Sequence, residues 1–204
     1  MKMRLSSVYV LQILAVSVSA QLLSLPKLFA PDTQAVIMDP DQTPRQSTLT
    51  NEELLISDAM ARDRSINTFS GYTRDVPAIS NRLASPSANS TVLAPVNSFF
   101  DGHEKAWENP DDYKAFGTAA YDGDEGLGRA RRNLQRLVEA HIIPVNPWPE
   151  GKEARSLLDG DEAIRWERKD GGMVIQPGNI KVQRIASKVG NGEVWIIETA
   201  RKYL

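Results

Sequence analysis

Acid–base, metal or nucleophile chemistry would have to come from few side chains, because the 204 residues hold two histidines and no cysteine. Lack of cysteine removes thiolate metal ligands, disulfides and a Cys nucleophile together. His103 lies in His103-Glu104-Lys105-Ala106-Trp107-Glu108. No second histidine follows one turn later, as a zinc-protease helix requires, so His103 reads as a solvated loop residue. His141 sits where a helix passes into an apolar strand. Two readings are open for it: a core-edge histidine bonded to backbone, or a general base, with Glu139 as the nearest acid. Neighbours two apart on a helix do not face one another, which counts against that pair.

The acidic clusters do not spell a metal site. Asp122-Gly123-Asp124-Glu125-Gly126 begins like a calcium hand loop, but Leu127 stands in the glycine slot and Asn133 in that of the bidentate Glu. Asp159-Gly160-Asp161-Glu162 fails likewise at Ile164, and both stretches read as turns. No Gly-Lys-Ser/Thr follows Gly123, Gly126 and Gly128, so they form no phosphate loop. No catalytic residue, metal or cofactor is assigned.

Binding chemistry is better represented. Arg129, Arg132 and Arg136 recur on one helix face with Arg131 beside them, and could hold an anionic glycan or an acidic protein partner. Glu125 and Glu139 stand at pairing distance along the same helix, so a plain solvated face is the other reading. Trp107, Trp148, Trp166 and Trp195 could stack on sugars, although two fall in predicted strands and pack there.

These residues need elements to position them. The helical part begins with Thr50 and Glu53, a capping box that opens a helix through Leu54, Leu55, Ile56 and Met60. Ile66, Phe69 and Tyr72 continue at helical spacing, and Ile79 and Leu83 do so after Pro77. Residues 91–95 form a short buried strand, and 101–128 are polar and glycine-rich with helical potential over 111–120. The clearest helix covers 125–140, its inner stripe marked by Leu127, Leu134, Leu137 and Val138. Strands then follow at 163–168, 173–175, 180–187 and 194–199, separated by Asp170-Gly171-Gly172, Pro177-Gly178-Asn179 and Gly190-Asn191-Gly192. Helices first and hairpins second make the class α+β.

Compartment is read from the other end. Lys2 and Arg4 precede an apolar run over 5–18, and Val18-Ser19-Ala20 has the small residues of a cleavage site, so residues 1–20 read as a signal peptide. A retained anchor is the alternative, because Leu22, Leu23 and Leu25 prolong the apolar character. Residues 21–50 carry Pro26, Pro31, Pro40 and Pro44 without periodicity and read as a flexible lead-in to a domain over 51–204. No stable membrane insertion is expected after cleavage. Asn89-Ser90-Thr91 is an N-glycosylation acceptor, with Asn89 ahead of a strand. A formal charge of -2 argues against nucleic acid as a partner.

Three segments carry a family likeness. The run Thr91-Val92-Leu93-Ala94-Pro95-Val96-Asn97-Ser98-Phe99-Phe100 resembles the first signature of fasciclin I-type domains, and Asn191-Gly192-Glu193-Val194-Trp195-Ile196-Ile197-Glu198 resembles the second. Between them, Leu137-Val138-Glu139-Ala140-His141-Ile142-Ile143-Pro144 is similar to the family's helix-to-strand junction, with Ala140 where Tyr is usual. Thr91, Ala94, Pro95, Asn97, His141, Asn191 and Gly192 are the motif positions. The resemblance implies a β-wedge of antiparallel strands flanked by N-terminal and central helices. The longer insertion at 101–128, together with Trp148-Pro149-Glu150-Gly151 and Gly178-Asn179, is similar to a single-domain fungal branch of the family associated with the vacuole.

From residues alone, Asn97 is expected to cap the short helix after the first strand, and Gly190-Asn191-Gly192 to fix a hairpin. That hairpin would put Trp195 and Ile197 on one sheet face, Val194 and Ile196 on the other. The leading expectation is a non-enzymatic, secretory-pathway domain that binds a protein or glycan partner, adhesion-type, through Arg129, Arg132, Arg136 and His141. The vacuole is the expected compartment, with the cell wall or exterior as alternative. A lumenal hydrolase or accessory enzyme and a structural vacuolar or wall component are the competing expectations.

Overall fold

The computed structural model describes Thr50 and residues 53–101 and 105–203. The predicted signal segment 1–20, residues 21–49 of the lead-in, and His103 lie outside the described residues.

Thr50 and Glu53 form half of the predicted box: the Glu53 carboxylate accepts from the Thr50 amide at 2.8 Å, but the Thr50 hydroxyl donates to that carboxylate and the Glu53 amide goes to the Thr50 carbonyl. Helix α1 (Ile56–Arg62) nevertheless starts later than the box predicts. Its start is set from a distance: the side-chain oxygen of Asn191 accepts from the Ile56 amide at 2.8 Å. A 3-10 turn (Arg64–Ile66) leads into α2 (Asn67–Asp75), and Pro77 opens α3 (Pro77–Leu83), where its missing N–H costs nothing. Ile56, Met60, Phe69, Ile79 and Leu83 are the apolar faces of these helices and are buried together.

Strand β1 (Ser90–Pro95) and the short α4 (Asn97–Phe100) come next. Helix α5 (Pro110–Phe116), α6 (Gly123–Ala140) and β2 (Ile142–Ile143) follow. The chain then builds β3 (Arg165–Lys169), β4 (Gly172–Gln176), β5 (Ile180–Val189) and β6 (Gly192–Ile197). One six-stranded sheet results, in the order β2-β1-β6-β5-β4-β3. The predicted strands all form, with boundaries shifted by one or two residues. The pairings are antiparallel except that of β1 with β6, which runs parallel from Ser90↔Gly192 to Pro95↔Ile197. The expected antiparallel wedge is thus a mixed sheet, because the first and last long strands lie side by side at its centre. The β3–β4 turn places Asp170 and Gly171 at φ 52° and 79°, the left-handed pair that a tight hairpin needs.

Alternation in the central strands divides the core. Val92, Ala94, Val194 and Ile196 face the helices with Phe69, Val138 and Ile142. Leu93, Trp195 and Ile197 face the opposite side with Ile143, Trp148, Ile164 and Trp166. Full burial of a side chain such as Phe69 or Ile196 contributes about 1.5–3 kcal/mol, so two filled faces hold the sheet without disulfides. Trp148, Trp166 and Trp195 are part of this packing, whereas Trp107 is not. Trp148 stacks on Trp195 at 5.6 Å between centroids, Trp166 meets Trp195 edge-on, and the Trp166 indole N–H donates to the Trp148 carbonyl.

Along α6, Leu137 and Val138 are buried as predicted, but Leu127 is 49% exposed. The first turns of α6 carry the α5 segment rather than the core, and that segment is held by polar groups. Asn133 donates to the Asp112 carboxylate at 2.8 Å and to the Trp107 carbonyl at 3.0 Å, and the Tyr121 hydroxyl donates to Asp112 at 2.8 Å. Those bonds, Asn133 first, hold the Asp112 carboxyl below its ordinary pKa.

Candidate functional site

The predicted motif residues converge on the places where helices meet the sheet. Asn191 and Gly192 sit at the β5–β6 turn. Besides capping α1, Asn191 donates to the carbonyls of Leu83 and Ser85 at 2.9 and 3.0 Å, so one amide joins the start of α1 to the end of α3. Gly192 has φ 148° and packs so closely on β1 that a Cβ would overlap the Ser90 carbonyl and reach Ile56 Cδ1 at 2.7 Å. Thr91 donates its hydroxyl to the Val145 carbonyl at 2.7 Å, fastening β1 to the segment after β2. Ala94 and Pro95 are buried within β1.

Asn97 does not cap α4, whose N-cap is Val96. Its side chain instead reaches back, accepting from the Thr68 amide at 3.0 Å and donating to the Arg64 carbonyl at 2.8 Å. As the first residue inside α4 it is free to cap the start of α2.

His141 is fully buried at the end of α6, against Phe69 with ring centroids 5.5 Å apart. Nδ1 lies 2.7 Å from the Leu137 carbonyl, which can only accept, and the Arg201 amide donates to Nε2 at 3.0 Å. These partners assign the proton to Nδ1. Burial holds the imidazole down to about 4, outweighing the Leu137 bond, so the ring is neutral near pH 7. Both nitrogens are used and no surface is offered, which removes His141 from the groups a partner could touch. Glu139 is not its acid: that carboxylate accepts from Gln135 at 2.8 Å.

Next to His141 is a constellation that the sequence reading missed. Arg201 and Asp161 form a buried ion pair, with a second contact from Nη2 to Oδ1 at 3.3 Å. Ser156 donates to Asp161 at 2.5 Å and Arg201 also reaches the Ala140 carbonyl at 3.0 Å. Burial pushes the Asp161 carboxyl up, but the bonds from Arg201 and Ser156 outweigh it and leave it below its ordinary value. The predicted turn at Asp159-Gly160 exists, yet Asp161 points inward from it. No spacing in the sequence links positions 40 residues apart, so no pattern could have paired them.

The arginine face is split by the structure. Arg129 is spent internally: its guanidinium covers the Phe116 ring at 4.1 Å, Nε donates to the Ala120 carbonyl at 2.6 Å, and Glu125 is 3.9 Å away. It is therefore withdrawn from the partner-binding set. Arg131, Arg132 and Arg136 are exposed. Arg132 acts on Asp112 of the α5 segment, whereas Arg136 acts on Tyr203 near the C-terminus. Asn89 is exposed just before β1, where Arg82 grips the Asn89 carbonyl and the Ser90 hydroxyl, each at 2.9 Å.

Among the described residues, no helix is long and apolar enough to cross a membrane, and no group of three or more His, Asp or Glu is placed to hold a metal ion.

Comparison with known proteins finds no matching family model. A FAS1 domain-containing protein of Emericella nidulans, AN1527, is 43% identical over 173 residues, which cover 81% of this chain and 71% of the relative. The chain belongs to the FAS1 domain family. The FAS1 domain-containing proteins NCU02579 of Neurospora crassa and AFUA_8G05360 of Aspergillus fumigatus are 50% and 47% identical over 149 and 155 residues. Those matches cover 72% and 75% of this chain, and the chain spans 65% of the length of either relative. The FAS1 fold is also met in a solved domain pair from the insect cell adhesion molecule Fasciclin I, with TM-score 0.51 and 14% identity, covering 74% of this chain and 51% of that one. In this FAS1 domain the signature residues are joints between helices and sheet.

Proposed function

We propose that this chain is a non-enzymatic interaction module of the secretory pathway, lumenal and vacuolar, that binds a protein or glycan partner. The observation that carries the reading is the division of labour within the FAS1 domain. Asn97, His141, Asn191 and Gly192 serve the fold, while Arg131, Arg132 and Arg136 stand exposed along α6. His141, Asp161 and Ser156, the groups nearest to acid–base chemistry, spend their hydrogen bonds on Arg201, on backbone and on one another. The likeness to a domain pair from a cell adhesion molecule supports an interaction role in the same direction.

The test uses the untagged native protein. Antibody localisation should give a vacuolar signal, and deglycosylation should increase mobility by removing a glycan from Asn89. The full chain on a glycan array and in a lumenal pull-down should show saturable capture. A cytosolic, unshifted band, or no saturable ligand in either assay, would overturn the reading, the second outcome in favour of a structural component.

A further inference from the structure

Asn191-Gly192 is the one Asn-Gly pair in the 204 residues, and it stands where α1, α3 and the β5–β6 turn are joined. An asparagine side chain can be attacked by the main-chain nitrogen that follows it, and a Cβ on the next residue hinders the approach. Glycine has no Cβ, so ring closure is least hindered here of all the asparagines in the chain.

The fold closes this route. Asn191 is fully buried. Its Oδ1 accepts from the Ile56 amide at 2.8 Å, and Nδ2, the leaving group, donates to the Leu83 and Ser85 carbonyls at 2.9 and 3.0 Å. Turning Cγ toward the Gly192 nitrogen would break all three bonds and leave buried groups unpaired. Gly192 is held on both sides, paired with Ser90 of β1 and Val189 of β5. The second step needs water, to which the buried side chain gives no access. When the chain unfolds, each of these restraints is gone.

We propose that Asn191 is a deamidation site, closed in the native fold, open in the unfolded chain, and destructive of the joint once converted. In the first step the Gly192 nitrogen bonds to Asn191 Cγ and gives up its proton. The Cγ–Nδ2 bond breaks, ammonia departs with that proton, and a succinimide remains. Water then adds at either ring carbonyl, giving aspartate or isoaspartate. Aspartate has no donor for the Leu83 and Ser85 carbonyls and sets a carboxylate against them. Isoaspartate adds a methylene to the main chain just before Gly192, where the close approach to the Ser90 carbonyl leaves no space. This site is independent of the reading of the chain as an interaction module.

The full chain is incubated at mildly alkaline pH, native in buffer and unfolded in guanidinium chloride. The tryptic peptide Val189–Arg201 is then followed by mass, and isoaspartate by methyl transfer from labelled S-adenosylmethionine with an isoaspartyl methyltransferase. Conversion should run at least about a hundredfold more slowly in the native chain. After dilution of the denaturant, the refolded pool should be depleted in converted chains by roughly tenfold or more. A parallel incubation unfolded at mildly acid pH, where the attacking nitrogen keeps its proton, should leave refolding intact. Asn191→Asp, which is the aspartate product made directly, should unfold at lower denaturant than wild type or fail to fold. Equal conversion of native and unfolded chains would overturn the proposal. So would refolding of converted chains in full yield, equal loss of refolding after the acid incubation, or a wild-type midpoint for Asn191→Asp.

Discussion

His141 joins three parts of the chain with two ring nitrogens: the last turn of α6 through Leu137, the segment after β6 through Arg201, and α2 through the Phe69 ring. The neutral ring is the one that fits, because Nε2 must accept. Its pKa is about 4 in the fold against an ordinary 6.5, so between those values the unfolded chain binds the proton and the folded chain does not. The stability this ring provides is complete above pH 6.5 and is lost as pH falls toward 4, by about 3 kcal/mol in all. Urea denaturation from pH 7 to 4 should show this slope, and His141→Gln should flatten it. An unchanged slope in that variant would assign the acid loss elsewhere. Gly192 makes the same point by sterics. Gly192→Ala should cost more than about 3 kcal/mol, since backbone rather than a movable side chain fills the space. A denaturation midpoint within error of wild type would contradict that packing.

At the scale of elements, the α5 segment is joined to the domain differently from α1, α2 and α3. No residue of α5 is buried, and Tyr113 and Phe116 are 40% and 51% exposed, while Asp112, Asn133 and Tyr121 face one another underneath. Such a segment should open without unfolding the cores. Asn133→Ala removes donors worth about 1 kcal/mol each, so amide exchange in α5 should accelerate roughly tenfold while exchange in β1 and β6 stays the same. Uniform acceleration would mean that α5 is part of the cooperative core. The same contrast explains what could be read in advance. Strands alternate with period two, so Val194 and Ile196 separate from Trp195 and Ile197 on paper as they do in the fold. Asn97 and the late start of α1 could not be read, because the groups they satisfy lie 29 and 135 positions away.

For the whole molecule, family motifs and surface charge answer different questions. The ordered signatures at 91–100, 137–144 and 191–198 led to the fold because each is a joint: β1 against β6, α6 into β2, and the β5–β6 turn against α1 and α3. They say little about a partner, since Thr91, His141 and Asn191 are all buried. The Arg201–Asp161 pair stayed hidden for the opposite reason: its members belong to no motif and meet only once the sheet closes. On the proposed reading, interaction chemistry falls to what remains exposed on α6, Arg131, Arg132 and Arg136. The direct measurement is equilibrium binding of the full chain to its captured ligand, wild type against the Arg132→Glu, Arg136→Glu double variant, with melting recorded for both. On this account affinity falls at least about tenfold at low salt, the difference shrinking as salt rises, with melting unchanged. Equal affinity of the two proteins at low salt would contradict it.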